Sequence, residues 1–274
     1  VYLDKGDGPE YMGLYTYMED PSDKMLEKQF GTYTNNAGDQ IVGNMYKPWG
    51  EAARWRDPEE TVTVPVEIDD IELPGDAGVS IGVDGTAPAN TGWWQEDIEF
   101  HFEKCTNEDI LDWSDIMKVV EKLHKDRDIP EQWRADLETV FDVQSFLRLL
   151  AAGATMMYWD SYGCMHHNYY LYANPNDHGR FMWLPWDLGE TMSNRQMEIC
   201  PDLDGVMFDE IVNPTEGSGV YADWPLIKYI LSDEKYRQDY VDELRAFTSA
   251  PFSEDYVFPL LEQYHDLIAP YVME

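Results

Sequence analysis

Three oxygen-bearing side chains lie close together in an aromatic-rich part of the chain. Asp160, Asn168 and Asp187 occur in YWDSYGCMHHNYYLY, residues 158–172, and FMWLPWDLGE, residues 181–190. The intervening ANPNDHG is a cluster of turn-forming residues, so the two aromatic runs predict a β-hairpin with a longer loop. Antiparallel pairing returns the end of the second strand to the start of the first. The pattern therefore predicts that the three polar side chains converge at one end of the hairpin.

Such a set of ligands suits a hard divalent cation. Mg²⁺ and Mn²⁺ prefer oxygen ligands and commonly add water and phosphate oxygens. One Asp and one Asn on the metal, with a separate Asp facing a hydroxyl group, is the polar layout of phosphoryl transfer in protein kinases. Trp186 and Tyr46 are candidates to stack on a nucleobase. A structural interpretation stays open, because a lone Asp after a helix is usually a cap and an Asn often begins a hairpin.

Other sites have less support. The sequence contains no HExxH, Walker or GxGxxG motif. His166 and His167 are adjacent and point in opposite directions on a strand, which argues against a zinc pair. Cys105, Cys164 and Cys200 share no CxxC spacing, and three cysteines cannot all pair within one chain. With 54 acidic residues, carboxylate pairs of the kind that glycosidases use arise by chance.

The composition narrows the class of protein. The 274 residues are 43% hydrophobic and carry 10 Trp, so they can form a sizeable core in one large domain or two lobes that share a cleft. The net charge of −35 disfavours nucleic acid and anionic lipid as partners and suits an extracellular setting. No apolar run approaches the roughly 20 residues that a membrane span requires. Because the chain begins at Val1, we expect a trimmed or mature fragment whose export signal was removed.

The N-terminal part reads as a small mixed unit, and a loop-rich stretch follows it. Within residues 1–66 the pattern predicts a strand at 12–19, a helix at 21–31 and a strand at 43–50 that ends at Pro48. Residues 67–107 are rich in Gly, Asp and Pro, which is typical of an extended insertion or linker.

The C-terminal part, residues 108–274, is predicted to be mainly helical around the hairpin. Apolar residues recur there at helical spacing. The predicted helices cover residues 114–125, 142–159, 224–247 with a break near Ser232, and 253–272. In this prediction Asp142 caps the longest helix and Asp160 follows its end.

The hairpin also resembles a family signature. HNYYLY followed by GRFMWLPWDLGETM is similar to the signature of the CotH kinase family, the spore-coat CotH proteins and their secreted relatives. GLYTYMEDPSDKMLEKQFG with GNMYKP resembles the N-terminal segment of the family, and YRQDYVDEL with PYV resembles its helical tail. The resemblance spans most of the chain. It implies a single CotH-like domain over residues 1–274, an α+β atypical protein-kinase-like fold with a small mixed N-terminal lobe and a larger, mainly helical C-terminal lobe.

The resemblance also implies an activity. Such a protein transfers the γ-phosphate of ATP to Ser or Thr of secreted or coat proteins, with Mg²⁺ or Mn²⁺, outside the cell or on the spore surface. Asp160 matches the catalytic aspartate that accepts the hydroxyl proton, and Asn168 and Asp187 match the metal-binding pair. The positions implied to bind the nucleotide are Tyr46 and Trp186, which would sandwich adenine, and Glu19 and Lys47, which would order the phosphates.

Two departures from the family pattern keep an alternative open. The family often has Pro-Trp-Asp-Leu-Asp, whereas this chain has Gly189 followed by Glu190. The upstream Arg-x-Arg-Gly segment and strand Lys of the family have no match here. The alternative is a non-catalytic structural or interaction module, a pseudokinase, of an extracellular assembly such as a spore coat or cellulosome. A carbohydrate-binding or carbohydrate-active domain is suggested only by the many Trp and Tyr.

Overall fold

The computed structural model is mixed α and β, which confirms the predicted α+β class. It describes residues 2–4, 6, 8–11, 18–48, 55, 101–163, 165, 167–192 and 224–272. Most of the predicted strand at 12–19 and most of the 67–107 stretch lie outside the described residues, as do Cys164, Cys200 and His166.

The N-terminal elements are short. In chain order they are β1 (Tyr2–Asp4), β2 (Pro9–Tyr11), α1 (Asp23–Phe30), β3 (Tyr33–Thr34) and β4 (Gln40–Ile41). The pairs β1–β2 and β3–β4 are each antiparallel. Helix α1 ends where predicted, because Gly31 has a φ of 79° and closes the last turn by donating its N–H to Glu27.

A four-stranded antiparallel sheet forms the centre of the described part, in the order β6-β5-β7-β8. Its strands are β5 (Met45–Pro48), β6 (Phe102–Lys104), β7 (Tyr169–Asn174) and β8 (Arg180–Pro185). Strands β7 and β8 form the predicted hairpin, joined by a 3-10 turn at Pro175–Asp177.

Helices and the N-terminal elements cover the two faces of this sheet. The helices that contribute to the core are α2 (Ser114–Leu123), α3 (Pro130–Leu137), α4 (Val143–Thr155), α5 (Pro225–Ser232) and α6 (Glu234–Ser249). The last helix, α7 (Glu254–Ile268), has no buried residue. Alternate residues of β7 point to opposite faces. Tyr169 and Leu171 join the helical core, whereas Tyr170 and Tyr172 pack with Leu26 of α1. Five consecutive residues of β7 are therefore buried.

Helix α4 is fixed to the edge of the sheet at its N-terminus. The Asp142 side chain caps the helix by accepting the N–H of Ser145, as predicted. The Asp142 N–H donates to the Phe181 carbonyl at 2.8 Å, and the Trp183 N–H donates to Ser145 Oγ at 3.1 Å. These bonds set where α4 begins relative to the hairpin that carries the candidate site.

The structure corrects several predicted boundaries. Helix α4 ends at Thr155 rather than at residue 159, so Asp160 lies in the connection to β7. Helix α3 was not predicted, and β6 lies inside the predicted linker. Both segments are short, and β6 forms by pairing with β5, which is far away in the sequence, so local patterns do not reveal them. The break near Ser232 is confirmed between α5 and α6.

The sheet also crosses the predicted lobe boundary. Strand β5 comes from residues 1–66, β6 from 67–107, and β7 and β8 from 108–274. Backbone bonds such as Ala173 N–H to the Asn44 carbonyl, at 2.9 Å, join these parts. The hairpin thus rests directly on an N-terminal strand in the described part of the chain.

Candidate functional site

Two of the predicted site residues flank the hairpin at the same end. Asn168 immediately precedes β7, and Asp187 follows β8 by two residues. The Trp186 N–H donates to the Asn168 carbonyl at 3.2 Å, which extends the hairpin pairing beyond the strands. Both residues have left-handed backbone, with φ of 62° at Asn168 and 53° at Asp187. Asn and Asp tolerate this conformation better than most residues do.

Asp160 joins this end of the hairpin through Asn168. The Asn168 Nδ2 group donates to Asp160 Oδ2 and to the Asp160 backbone carbonyl, each at 2.9 Å. The Asn168 residue is only 8% exposed, so its amide is held in one orientation. Its Oδ1 accepts no hydrogen bond from the described residues and is the atom left to bind a ligand.

A histidine that the sequence analysis set aside lies against the same carboxylate. His167 Nε2 is 3.5 Å from Asp160 Oδ1. The two Asp160 oxygens therefore face two different neighbours, His167 on one side and Asn168 on the other. This arrangement fixes the carboxylate while leaving it 19% exposed, so that a hydroxyl group can reach it.

Asp187 is exposed to solvent at the start of a 3-10 turn, Leu188–Glu190. A Cβ atom at Gly189 would lie 3.3 Å from Asp187 Oδ1, which is closer than ordinary van der Waals contact. The glycine that departs from the family pattern thus gives the Asp187 carboxylate room at this position.

Tyr158 is a site residue that the sequence analysis missed. Its buried hydroxyl donates towards the carbonyls of Asn168, at 2.8 Å, and of Trp186. Burial raises the pKa of this hydroxyl above its usual value, and the charges of Asp187 and Asp160 add to the rise. Tyr158 therefore remains a neutral donor beside both carboxylates.

The aromatic side of the site lies on the α1 face of the sheet. The half-buried Trp186 ring meets the edge of Tyr170, with ring centroids 5.6 Å apart. Lys47 Nζ lies 5.7 Å from the centroid of the same Tyr170 ring. Burial raises the pKa of Tyr170 to about 12, with the Cys105 thiolate and Asp20 as further contributors. Tyr170 thus links two of the predicted nucleotide-binding residues, although the sequence analysis did not select it.

Tyr46 does not join this surface, which corrects the predicted adenine sandwich. It is fully buried on the opposite, helical face of the sheet and packs against Phe181. Its hydroxyl donates to Asp115 Oδ1 at 2.8 Å. Neighbouring residues of a strand point to opposite faces, so Tyr46 and Lys47 cannot both contact one ligand on one face.

Glu19 is exposed and forms an ion pair with Lys28 of α1 at 3.0 Å. Its neighbour Asp20 is close enough to Tyr170 to influence the pKa of that ring's hydroxyl. The N-terminal acidic residues therefore border the α1 face, but the described contacts of Glu19 lead to Lys28.

The protein groups at the hairpin end fit a magnesium-type ion that is completed by its substrate. Within the described residues, no three His, Cys, Asp or Glu side chains are grouped to hold a metal ion. Mg²⁺ typically uses one or two protein oxygens together with water and substrate phosphates. The unengaged Asn168 Oδ1 and the exposed Asp187 carboxylate match that requirement.

A separate cavity lies at the far end of the hairpin. It has a volume of about 550 Å³, and Asp115 and Lys118 of α2 and His178 contribute to its lining. Both Asp115 oxygens already accept hydrogen bonds, from Tyr46 and from Asn44. This carboxylate is therefore committed to the fold, and the cavity does not share the chemistry of the Asp160 end.

Comparison with protein families identifies the chain. A family model described as CotH kinase protein matches residues 1–274, the whole sequence. The chain belongs to the CotH kinase family. Membership confirms the resemblance seen in the hairpin sequence and makes this a kinase-like protein, of a kind that uses ATP and usually a divalent metal. No curated protein matches the chain. The helices described for this CotH kinase family member include none that is both long and apolar enough to cross a membrane.

Proposed function

We propose that this member of the CotH kinase family is an active protein kinase that phosphorylates Ser or Thr of secreted or coat proteins. The observation that carries the proposal is the set of hydrogen bonds that the Asn168 amide forms. The amide donates two hydrogen bonds to Asp160, and its oxygen accepts none from the described residues at the hairpin end that also bears Asp187. In protein kinases an aspartate accepts the hydroxyl proton of the substrate and a nearby asparagine binds Mg²⁺, and Asp160 and Asn168 offer the same pair of side chains.

In the proposed reaction, Asp160 accepts a proton from the substrate. The substrate hydroxyl oxygen forms a bond to the γ-phosphorus of ATP while the bond between that phosphorus and the bridging oxygen breaks. ADP departs with the bonding electrons, and the hydroxyl proton passes to the Asp160 carboxylate. Asn168 and His167 hold the carboxylate in place for this transfer.

Asn168 Oδ1 and Asp187 are the proposed ligands of Mg²⁺ or Mn²⁺. When bound, the ion neutralises charge on the phosphate oxygens. Trp186 and Lys47, joined through Tyr170, offer an aromatic surface and a cation on one side of the sheet. We propose that this surface replaces the predicted pairing of Tyr46 with Trp186, and we retain Glu19 only as a border residue.

The proposal includes the organisation and location implied by the family. Residues 1–274 act as one kinase-like domain, and the sheet that joins residues 1–66 to residues 108–274 supports a single unit. The strongly acidic surface suits a secreted or spore-surface protein.

Transfer of labelled phosphate tests the proposal. The purified chain is incubated with γ-labelled ATP, Mg²⁺ or Mn²⁺, and a mixture of secreted or coat proteins. Asp160→Ala should reduce transfer by about 10²-fold or more, the usual contribution of a general base. Asp187→Ala removes a proposed metal ligand and should also reduce transfer strongly. Asp177→Ala is the matched control, because Asp177 lies in the turn of the same hairpin and pairs with Arg180. That variant should retain wild-type transfer.

The alternative of a non-catalytic module gives a different result. Such a module shows no transfer with any protein substrate and no rise in melting temperature with ATP and metal. A ligand that binds the folded state at 100 times its Kd stabilises it by about 2.7 kcal/mol. Equal transfer by the wild type and Asp160→Ala would refute the catalytic assignment.

A further inference from the structure

Two backbone segments that carry the proposed metal ligands meet at one buried point. Asn168 and Asp187 both have left-handed backbone, which costs free energy for residues other than glycine and persists only where the surroundings impose it. The carbonyl of Asn168 and the carbonyl of Trp186, which forms the peptide bond to Asp187, both face the hydroxyl of Tyr158.

The Tyr158 hydroxyl is well placed to hold these segments together. Tyr158 is 2% exposed, and its own N–H donates to the Gly153 carbonyl in the last turn of α4 at 2.8 Å. Its position is therefore set by the helix and not by the hairpin. The buried Ser161 side chain lies beside the Tyr158 hydroxyl and lowers its pKa, although the effect of burial is larger and in the opposite direction.

The hairpin alone provides little restraint at this point. The bond from Trp186 N–H to the Asn168 carbonyl is the last described backbone bond of the pair before Asp187. Asp187 itself is exposed and begins a short turn. Two carbonyl oxygens that face one buried point repel each other unless a donor lies between them.

We propose that Tyr158 is a positioning residue for divalent-cation binding. Its hydroxyl holds the peptide groups next to Asn168 and Asp187 at the spacing at which both side chains bind one ion. The inference rests on the proposed function and adds a residue that never contacts the metal. Loss of such an indirect support typically weakens metal binding by 10- to 100-fold.

The test compares Tyr158→Phe with Tyr162→Phe. Tyr162 is 3% exposed, lies four residues further along the chain, and accepts a hydrogen bond from the Leu226 N–H at 3.2 Å. Each variant loses one buried hydroxyl from the same connection, but only Tyr158 faces the site. Mn²⁺ binding is measured by electron paramagnetic resonance in the presence of a non-hydrolysable ATP analogue, and folding is followed by thermal melting.

The expected result is a Kd for Mn²⁺ about tenfold higher in Tyr158→Phe and unchanged within twofold in Tyr162→Phe. In the transfer assay, the Mn²⁺ concentration at half-maximal rate should rise for Tyr158→Phe, while saturating Mn²⁺ restores most of the rate. Wild-type Mn²⁺ affinity in a folded Tyr158→Phe variant overturns the proposal. An equal loss in Tyr162→Phe also overturns it, because the effect would then follow from general destabilisation.

Ser161→Ala keeps the inference testable if Tyr158→Phe does not fold. This change removes a buried hydroxyl beside Tyr158 and leaves the Tyr158 hydroxyl in place, so the Kd for Mn²⁺ should rise, but less than in Tyr158→Phe; an unchanged Kd contradicts the proposal. Failure of the proposed function looks different, because the wild type itself would then bind no Mn²⁺ with the nucleotide analogue.

Discussion

Replacing Asn168 by alanine should destabilise the folded chain by about 3 kcal/mol. The substitution removes both hydrogen bonds of the Asn168 amide, one to the Asp160 carboxylate and one to the Asp160 backbone carbonyl. It also places alanine at a φ of 62°, where a Cβ-bearing residue without a polar side chain is strained.

The magnitude follows from the separate contributions. A bond to a neutral carbonyl contributes about 1 kcal/mol, and one to a charged group about 1.5–3 kcal/mol. We take the lower end for the carboxylate, because the Asp160 side chain is 19% exposed and water can replace the lost donor. The left-handed backbone adds roughly 0.5–1 kcal/mol for alanine relative to asparagine. The sum of about 3 kcal/mol corresponds to a fall in Tm of about 6–12 °C for a chain of this size.

Differential scanning calorimetry at pH 7 without metal measures this effect independently of any kinase activity. Asn168→Gly is the matched control, because glycine removes the same two bonds but accepts the left-handed backbone. The glycine variant should be about 1 kcal/mol more stable than the alanine variant. A Tm for Asn168→Ala within 2 °C of wild type, or identical Tm values for the two variants, would refute this account of Asn168.

Three further predictions concern the sheet, helix α2 and a cysteine. Gly43→Ala should lower the free energy of unfolding by about 3 kcal/mol, because the added Cβ would lie 1.9 Å from the Ala173 carbonyl oxygen. Urea titration measures this change, and an unchanged midpoint of unfolding would contradict the close approach. The Ser114 N–H lowers the pKa of Asp112, so this stabilisation is present above about pH 4 and is lost as the pH falls through the lowered value. Asp112 is exposed, so Asp112→Asn should cost only about 0.5 kcal/mol at pH 7 and less as the pH falls through the lowered pKa, as measured by unfolding at pH 7 and at pH 2; a pH-independent difference would show that the charge is not involved. Burial raises the pKa of the Cys105 thiol to about 11. Alkylation of Cys105 by iodoacetamide at pH 8, followed by peptide mapping, should therefore be about 100-fold slower than alkylation of a free thiol. A rate equal to that of a free thiol would show that the surroundings of Cys105 open to solvent.

Local sequence signals determined the hairpin and most of the helices. Turn-forming residues between two aromatic runs are sufficient to predict β7 and β8, because hairpin pairing is a contact between neighbours in the chain. The spacing of apolar residues predicted α2 and the break between α5 and α6, because helical periodicity is also a local property of the chain. That Asn168 and Asp187 lie at the same end of the hairpin followed from the predicted pairing of the two strands.

The tertiary structure decided which side chains accompany Asn168 and Asp187. Strand β5 has apolar and aromatic residues on both faces, so its sequence does not reveal that Tyr46 enters the helical core and Lys47 the other face. That choice depends on how β5 pairs with β6 and β7, which are distant in the chain. The role of Tyr158 likewise depends on where α4 ends, at Thr155, because the hydroxyl reaches the two carbonyls only from that position. The sequence thus predicted the proposed ligands through local pairing, and long-range packing of the helix and the sheet determined which residues surround them.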